Sequence, residues 1–190
     1  MMIKLIAGLG NPGKDYQAHR HNAGFWFIES LANNLDSKFS SQSKFFGETA
    51  ICLIGTNKVR LLKPKTFMNN SGQSVKALSS YYNIKPEEIL VIHDDLDLTP
   101  GSVKIKMGGG HGGHNGLKDT IKALNTSDFY RLRLGIGHPG SKNEVVDFVL
   151  TPPGKTDSML IEQAIKEAMD VIEPLVIGDV EQAMKKLHTD

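Results

Sequence analysis

The stretch "LIAGLGNPGKDY", residues 5–16, joins an apolar, strand-like run to Gly8, Gly10 and Gly13, a literal G-x-G-x-x-G. In a dinucleotide-binding fold the last glycine of that pattern packs within a helix that starts at the turn, and an acid about 20 residues later closes a second strand. Neither condition holds here. Gly13 leads into "KDYQAHRHNAG", which has no apolar helical periodicity, so the helix is expected to begin only near Asn22. Glu29, the acid nearest the required offset, falls within that helix. Pro12 makes "NPG" a tight turn, with Pro presetting its own φ and Gly13 free to take positive φ. The segment therefore reads as a strand-ending turn that presents Asn11 to a cleft, its glycines clearing space around that amide.

Working outward, "NAGFWFIESLANNL" (22–35) sets Phe25, Ile28, Leu31, Ala32 and Leu35 on one helical face, with Asn22 as N-cap. "FFGETAICLI" (45–54) and "KVRLLKP" (58–64) form a hairpin around "GTN". "SGQSVKALSSYYN" (71–83) is helical, "EILVIHDD" (88–95) a buried strand, and "SVKIKM" (102–107) a strand with alternating lysines. "GLKDTIKALN" (116–125) is a helix and "YRLRLGIG" (130–137) a strand. From Asp157 onward Leu160, Ala164, Ala168, Val171, Ile172 and Leu175 follow helical spacing. Strands alternate with helices but include a hairpin. The expectation is one α/β domain over residues 1–190, a mixed central β-sheet flanked by helices.

The 190-residue length is enough to bury a core, and 39% hydrophobic with 23% charged residues is a globular profile. No apolar run approaches the roughly 20 residues that span a bilayer, so no membrane association is expected. The N-terminus lacks a basic region feeding a long apolar core, so no secretory leader is expected either. Cys52 is the only cysteine, which excludes an internal disulfide and suits a reducing cytoplasm; within "TAICLI" it reads as core. A net charge of +1 leaves nucleic-acid binding to be argued from local patches.

Four further segments hold polar residues that a bland fold does not need. In "RHNAGF", His21 precedes a helix start, where the positive end of the dipole disfavours a protonated ring. A neutral histidine there can accept a proton, as a general base must. In "ILVIHDDLDL" the strand runs straight into His93, Asp94, Asp95 and Asp97, at the strand end where open α/β sheets bind ligands. One of these acids is placed to orient a histidine, Asp94 more so than Asp97, which fits the turn "DLTPG". In "KPKTFMNNSG", Asn70 or Ser71 suffices to cap the next helix, leaving Asn69 as an amide for gripping a substrate backbone. In "KIKMGGGHGGHNGLKD" five glycines around His111 and His114 expose backbone N–H groups ahead of a helix, a natural anion site. Asn115 serves there as a cap, with Asp119 in the first turn. Lys104 and Lys106 share a strand face, Lys118 and Lys122 a helix face, and with Arg131, Arg133 and Lys142 they gather a basic surface for phosphates.

No G-x-S-x-G elbow supplies a serine nucleophile and no C-x-x-C a soft metal site. "HGGH" with the "HDDLD" acids is a possible zinc set, but it lacks the rigid helical spacing of zincin motifs. Three readings thus compete: a metal-free hydrolase, a metal-dependent hydrolase on His111 and His114, and an RNA-binding module without catalysis.

In order and approximate spacing, "GLGNPG", "RHNAGF", "FMNNSG", "HDDLD", "GGGHGGHNGL" and "RLRLGIGHPG" resemble the bacterial peptidyl-tRNA hydrolase family across residues 8–140. The resemblance implies a monomeric, cytoplasmic, cofactor-free and metal-free esterase. Its substrate would be the ester between a peptide's C-terminus and the 3′-terminal ribose of tRNA, released by stalled or abortive translation. It further implies that His21 is the catalytic base and Asp94 its orienting partner. Asn11, Asn69 and Asn115 would line the cleft as catalytic residues, and Asn69, Asn115 and His114 would also bind substrate. Tyr16 would help bind near the tRNA 3′ end, and Lys104, Lys106 and Arg133 would contact tRNA phosphates.

Overall fold

The apolar run of the opening segment is a four-residue strand, β1 (Leu5–Gly8), buried along its whole length. In the computed structural model, which describes residues 2–188, it is the central strand of a seven-stranded sheet. The others are β2 (Ser40–Gln42), β3 (Gly47–Ile54), β4 (Asn57–Pro64), β5 (Ile89–Asp95), β6 (Val103–Met107) and β7 (Tyr130–Gly135), in the spatial order β2-β3-β4-β1-β5-β7-β6. β1 pairs in parallel with β4 and β5, and β5 with β7, while β2, β3 and β6 run antiparallel to their partners. The sheet is mixed, as the hairpin required. The outermost residues of the expected domain, 1, 189 and 190, lie outside the described residues.

Period-two alternation sends Ile6, Leu90 and Ile92 to one face of the sheet and Leu5, Ala7, Ile89 and Val91 to the other. Helix α1 (Ala23–Asn34) and the C-terminal helices cover the first face; α2 (Ser71–Tyr81) and α3 (Asn115–Leu124) cover the second. Both faces of β1 and β5 are therefore dry, which is why these strands read as continuous apolar runs. Among the described residues the tail carries four α-helices: α4 (Val145–Val149), α5 (Lys155–Ala168), α6 (Ile172–Ile177) and α7 (Val180–His188). Its predicted face is buried except for Leu160, which is exposed; Ile161 and Ile165 take the inward positions. Among the described residues no helix is long and apolar enough to cross a membrane.

The glycines of the opening turn serve packing more than clearance around Asn11. A Cβ at Gly8 would come within 2.7 Å of Ile28, and one at Gly10 within 2.6 Å of the Phe25 ring. Gly24, on α1, faces the strands in return: its Cβ would lie 2.5 Å from Leu9 O and 2.6 Å from Leu9 N, and would press on Ile92 O. Helix and sheet touch backbone to backbone. Only Gly13 has the turn role read from the sequence, with φ +109°. Gly24→Ala is expected to lower stability by about 3 kcal/mol, because backbone atoms cannot move aside as a flexible side chain can. A urea midpoint equal to the parent's would contradict this close approach.

The helix caps differ from the sequence reading, and the substitutions are informative. Asn22 does precede α1, yet its side chain does not cap it. Its Oδ1 accepts from the Asn11 N–H and its Nδ2 donates to the Asn11 carbonyl, each at 2.9 Å. Neither Asn70 nor Ser71 caps α2; the Gly72 N–H is taken by Asp119, reaching across from α3 at 2.8 Å. Asn115 does not cap α3 either, because His114 does. Asn22 and Asp119, each predicted to act within its own helix, are committed to another segment, and at α3 the cap moves one residue back, from Asn115 to His114.

Candidate active site

Because β1, β4, β5 and β7 run parallel, the segments leaving their C-terminal ends gather on one edge of the sheet. They enclose a cleft of about 830 Å³ that contains Asn11, His21, Asn69, Asp94, His114 and Asn115. The electrostatic centre is Asp94, near the end of β5 and buried. His21 Nδ1 lies 2.9 and 3.0 Å from its two oxygens, and His114 Nε2 lies 2.9 Å from Oδ1. Burial alone would raise the Asp94 pKa, but the charges and hydrogen bonds of His21 and His114 hold it well below the ordinary carboxylate range. For His21, burial pulls downward and the Asp94 charge and hydrogen bond push upward; the balance lies above the ordinary histidine value.

The partners fix both tautomers. A carboxylate only accepts, so neutral His21 carries its proton on Nδ1 and its lone pair on Nε2. That Nε2 has no hydrogen-bond partner among the described residues, and the ring lines the cleft. His114 is set the other way: its Nδ1 accepts from the Gly116 and Leu117 N–H groups at 3.1 and 3.3 Å, leaving the proton on Nε2 for Asp94. The N-terminus of α3 therefore makes His114 a fixed donor to the carboxylate. Beneath them His93 donates from Nδ1 to the Asp94 carbonyl at 2.7 Å. Burial and the neighbouring His114 push the His93 pKa down to about 3, so this ring stays neutral.

Asn11 is held by the side chain of Asn22, and its own Oδ1 accepts from the Met68 N–H at 2.7 Å. That commitment turns its Nδ2, a pure donor with no partner among the described residues, to the cleft. Asn69 and Asn115 are exposed on the cleft lining, with no side-chain hydrogen bond among the described residues. Tyr16 stands outside the lining; its ring packs edge-on against Phe67, 5.8 Å between centroids, and Phe67 does line the cleft.

On the far side, the β6–β7 pairing sets Lys104 opposite Arg133 and Lys106 opposite Arg131. Lys106 and Arg133 reach the cleft, Arg133 through an ion pair with Asp95 at 2.7 Å, while Lys104 is exposed beyond it. Lys118, Lys122 and Lys142 are exposed as well. Arg131 is a correction to the expected basic surface: it is buried, and its guanidinium donates to the carbonyls of Gly109 and Gly110. It braces the glycine loop from inside. Asp97 keeps the turn role, its N–H bonded to Asp95 Oδ1 at 2.9 Å.

Phe67 and an apolar wall of Val145, Val149 and Leu150 went unread in the sequence. The amphipathic run "VVDFVL" (145–150) carries a signal for the wall, but a five-residue helix is too short to register by periodicity.

The alternative zinc set on His111 and His114 does not converge among the described residues. His111 is exposed, its Nδ1 engaged by the Gly113 N–H at 3.0 Å. Among the described residues the converging ligand atoms are those of His21, Asp94 and His114, all within 4.8 Å of one another. A metal on His114 Nε2 needs the lone pair there and hence a proton on Nδ1, where two backbone N–H groups already point. The α3 cap and metal ligation are mutually exclusive.

A mixed α/β sheet whose cleft holds a histidine–carboxylate pair and cleft-facing amides, with no serine or cysteine among the described residues of its lining, is the framework of a hydrolase. The chain belongs to the peptidyl-tRNA hydrolase family, whose model matches residues 5–190. It is 53% identical over 189 residues to the peptidyl-tRNA hydrolase of Ruthia magnifica, covering 100% of this chain and 99% of that one. It is 52% identical over 187 residues to that of Neisseria meningitidis serogroup A, covering 98% and 97%. The crystal structure of peptidyl-tRNA hydrolase from Acinetobacter baumannii superimposes with a TM-score of 0.96 at 48% identity, covering 98% of this chain and 95% of that one.

Proposed function

We propose that the chain, acting as one monomeric domain in the cytoplasm, hydrolyses the ester between a peptide's C-terminus and the 3′-terminal ribose of tRNA. The product tRNA returns to translation. The observation that carries the mechanism is the His21–Asp94 pair, with Nε2 of His21 in the cleft and without a partner among the described residues. A water on that nitrogen gives up its proton as it attacks the ester carbonyl, and Asp94 stabilises the imidazolium formed. His114, as a fixed donor, keeps Asp94 ionised and oriented. The Asn11 Nδ2 is the donor aimed where the carbonyl oxygen gains charge. Asn69 and Asn115 pair with the peptide backbone whatever its side chains. The imidazolium then returns its proton to the departing ribose oxygen.

No step requires a metal, so exhaustive chelation is expected to leave turnover unchanged. Incubation with an N-blocked aminoacyl-tRNA is expected to release the blocked amino acid and intact tRNA. Binding without release would instead favour the non-catalytic RNA module. Lys104, Lys106 and Arg133 contact the tRNA backbone, and Tyr16 supports Phe67 near the 3′ end. Lys104→Ala with Lys106→Ala is expected to reduce the log–log salt slope of tRNA binding by about 1.5, the share of two phosphate contacts. An unchanged slope would remove both lysines from the interface.

A further inference from the structure

We propose that Arg20 is a positioning residue for the reaction: it ties the apolar wall of the cleft to the turn that carries His21. Arg20 and His21 are consecutive in a single 3-10 turn, Arg20–Asn22, yet they serve opposite sides of it. His21 reaches Asp94 in the cleft floor. Arg20 is buried and reaches the chain leaving α4. Its Nη1 lies 3.2 Å from Phe148 O, 3.2 Å from Thr151 O, 3.0 Å from Thr151 Oγ1 and 3.0 Å from Pro152 O. The Arg20 N–H also donates to Thr151 O at 3.1 Å, and the guanidinium stacks over the Phe148 ring, 4.0 Å from its centroid.

The arrangement fits the needs of α4. A helix of five residues is far below the length that holds itself together. Its last carbonyls have no partner within the helix, and a cation at a helix C-terminus is favourable. Arg20 supplies the charge and a donor to Phe148 O, which the Thr151 hydroxyl also engages at 3.0 Å. It holds the Thr151 and Pro152 carbonyls just beyond, while its plane covers Phe148. The other side of the same segment presents Val145, Val149 and Leu150 to the cleft. The place of the wall relative to the base is thus set through one side chain adjacent in sequence to the base. A wall of this kind contacts the peptide equally before and during reaction, so its loss weakens binding without altering proton transfer.

The kinetic half of this inference rests on the ester-hydrolase reading; the structural half does not. The test is Arg20→Lys in the full chain, which keeps the charge but loses the planar fork and the stacking surface. Amide exchange over residues 145–151, measured without substrate, is expected to speed up at least tenfold while β1 and β5 stay protected. KM for a peptidyl-tRNA is expected to rise about tenfold with kcat within about threefold, the pattern of lost uniform binding. The acid limb of the pH profile is expected to stay in place. Unchanged exchange over 145–151, or a fall in kcat with a displaced pH limb, would overturn the proposal. Should the enzyme prove inactive on every peptidyl-tRNA, the exchange result still decides the clamp. If the lysine variant does not fold, Thr151→Val removes one acceptor; a KM rise of about threefold supports the clamp and none contradicts it.

Discussion

His21→Ala is expected to lower kcat by about 10³-fold, the middle of the range for losing a general base. The KM is expected to change little. In the proposed mechanism the ring, paired with Asp94, meets only the attacking water, and the substrate is left to Asn69, Asn115, Phe67 and the apolar wall, which line the same cleft. The fold should survive, because Asp94 keeps its bond to His114 at 2.9 Å when the His21 ring is gone. Activity of the wild-type order in that variant would remove His21 from the mechanism. A matched measurement of tRNA binding separates lost chemistry from lost affinity.

Asp94→Asn is expected to cost about as much, on the order of 10³- to 10⁴-fold in kcat, by reversing a tautomer rather than removing a group. His114 must donate from Nε2, since the α3 cap occupies its Nδ1. The carboxamide oxygen therefore takes the Oδ1 position, where His114 lies 2.9 Å away. Its NH₂ then occupies the Oδ2 position and points at His21 Nδ1, 2.9 Å away. To accept from it, His21 must move its proton to Nε2, the nitrogen that was to act as base. Size and hydrogen bonding are preserved and the lone pair in the cleft is lost. Kinetics on this variant, with stability measured alongside, distinguish orientation by Asp94 from simple packing.

What was legible in the sequence followed from periodicity and from the ends of strands. The apolar run 89–92 leading into His93 and Asp94 shows a strand buried on both faces that delivers a carboxylate to the functional edge. His21 ahead of α1 was legible because the helix start is marked by its apolar stripe. The caps differ from the sequence reading because a cap is a contest among partners, won by a tertiary contact at α1 and α2 and by the preceding residue at α3. Asp119 belongs to α2, Asn22 to the backbone of Asn11, and His114 displaces Asn115. Arg131 and Arg133 are alike in sequence, two apart on one strand, yet one braces the glycine loop from inside while the other pairs with Asp95 at the cleft. How deeply a side chain on β7 is buried depends on what the loops beside it do, which spacing along the chain does not encode. Phe67 is likewise silent in the sequence: a single aromatic between two lysines and two asparagines carries no periodic signal, yet it is 53% exposed.

The central claim is that neutral His21, held by ionised Asp94, takes the proton of the attacking water. The measurement that tests it most directly is the pH dependence of kcat/KM for an N-blocked aminoacyl-tRNA, in the parent and in Asp94→Asn. Charge and hydrogen bonding from Asp94 outweigh burial and raise the His21 pKa in the folded enzyme. Because the base works only when unprotonated, activity is expected to fall as pH drops through a value above the ordinary 6.5 of histidine. In Asp94→Asn the residual activity should lose that limb or show it displaced to lower pH, since burial then acts unopposed. A parent profile flat between about pH 5 and 8, or a limb unmoved by the substitution, would contradict the account.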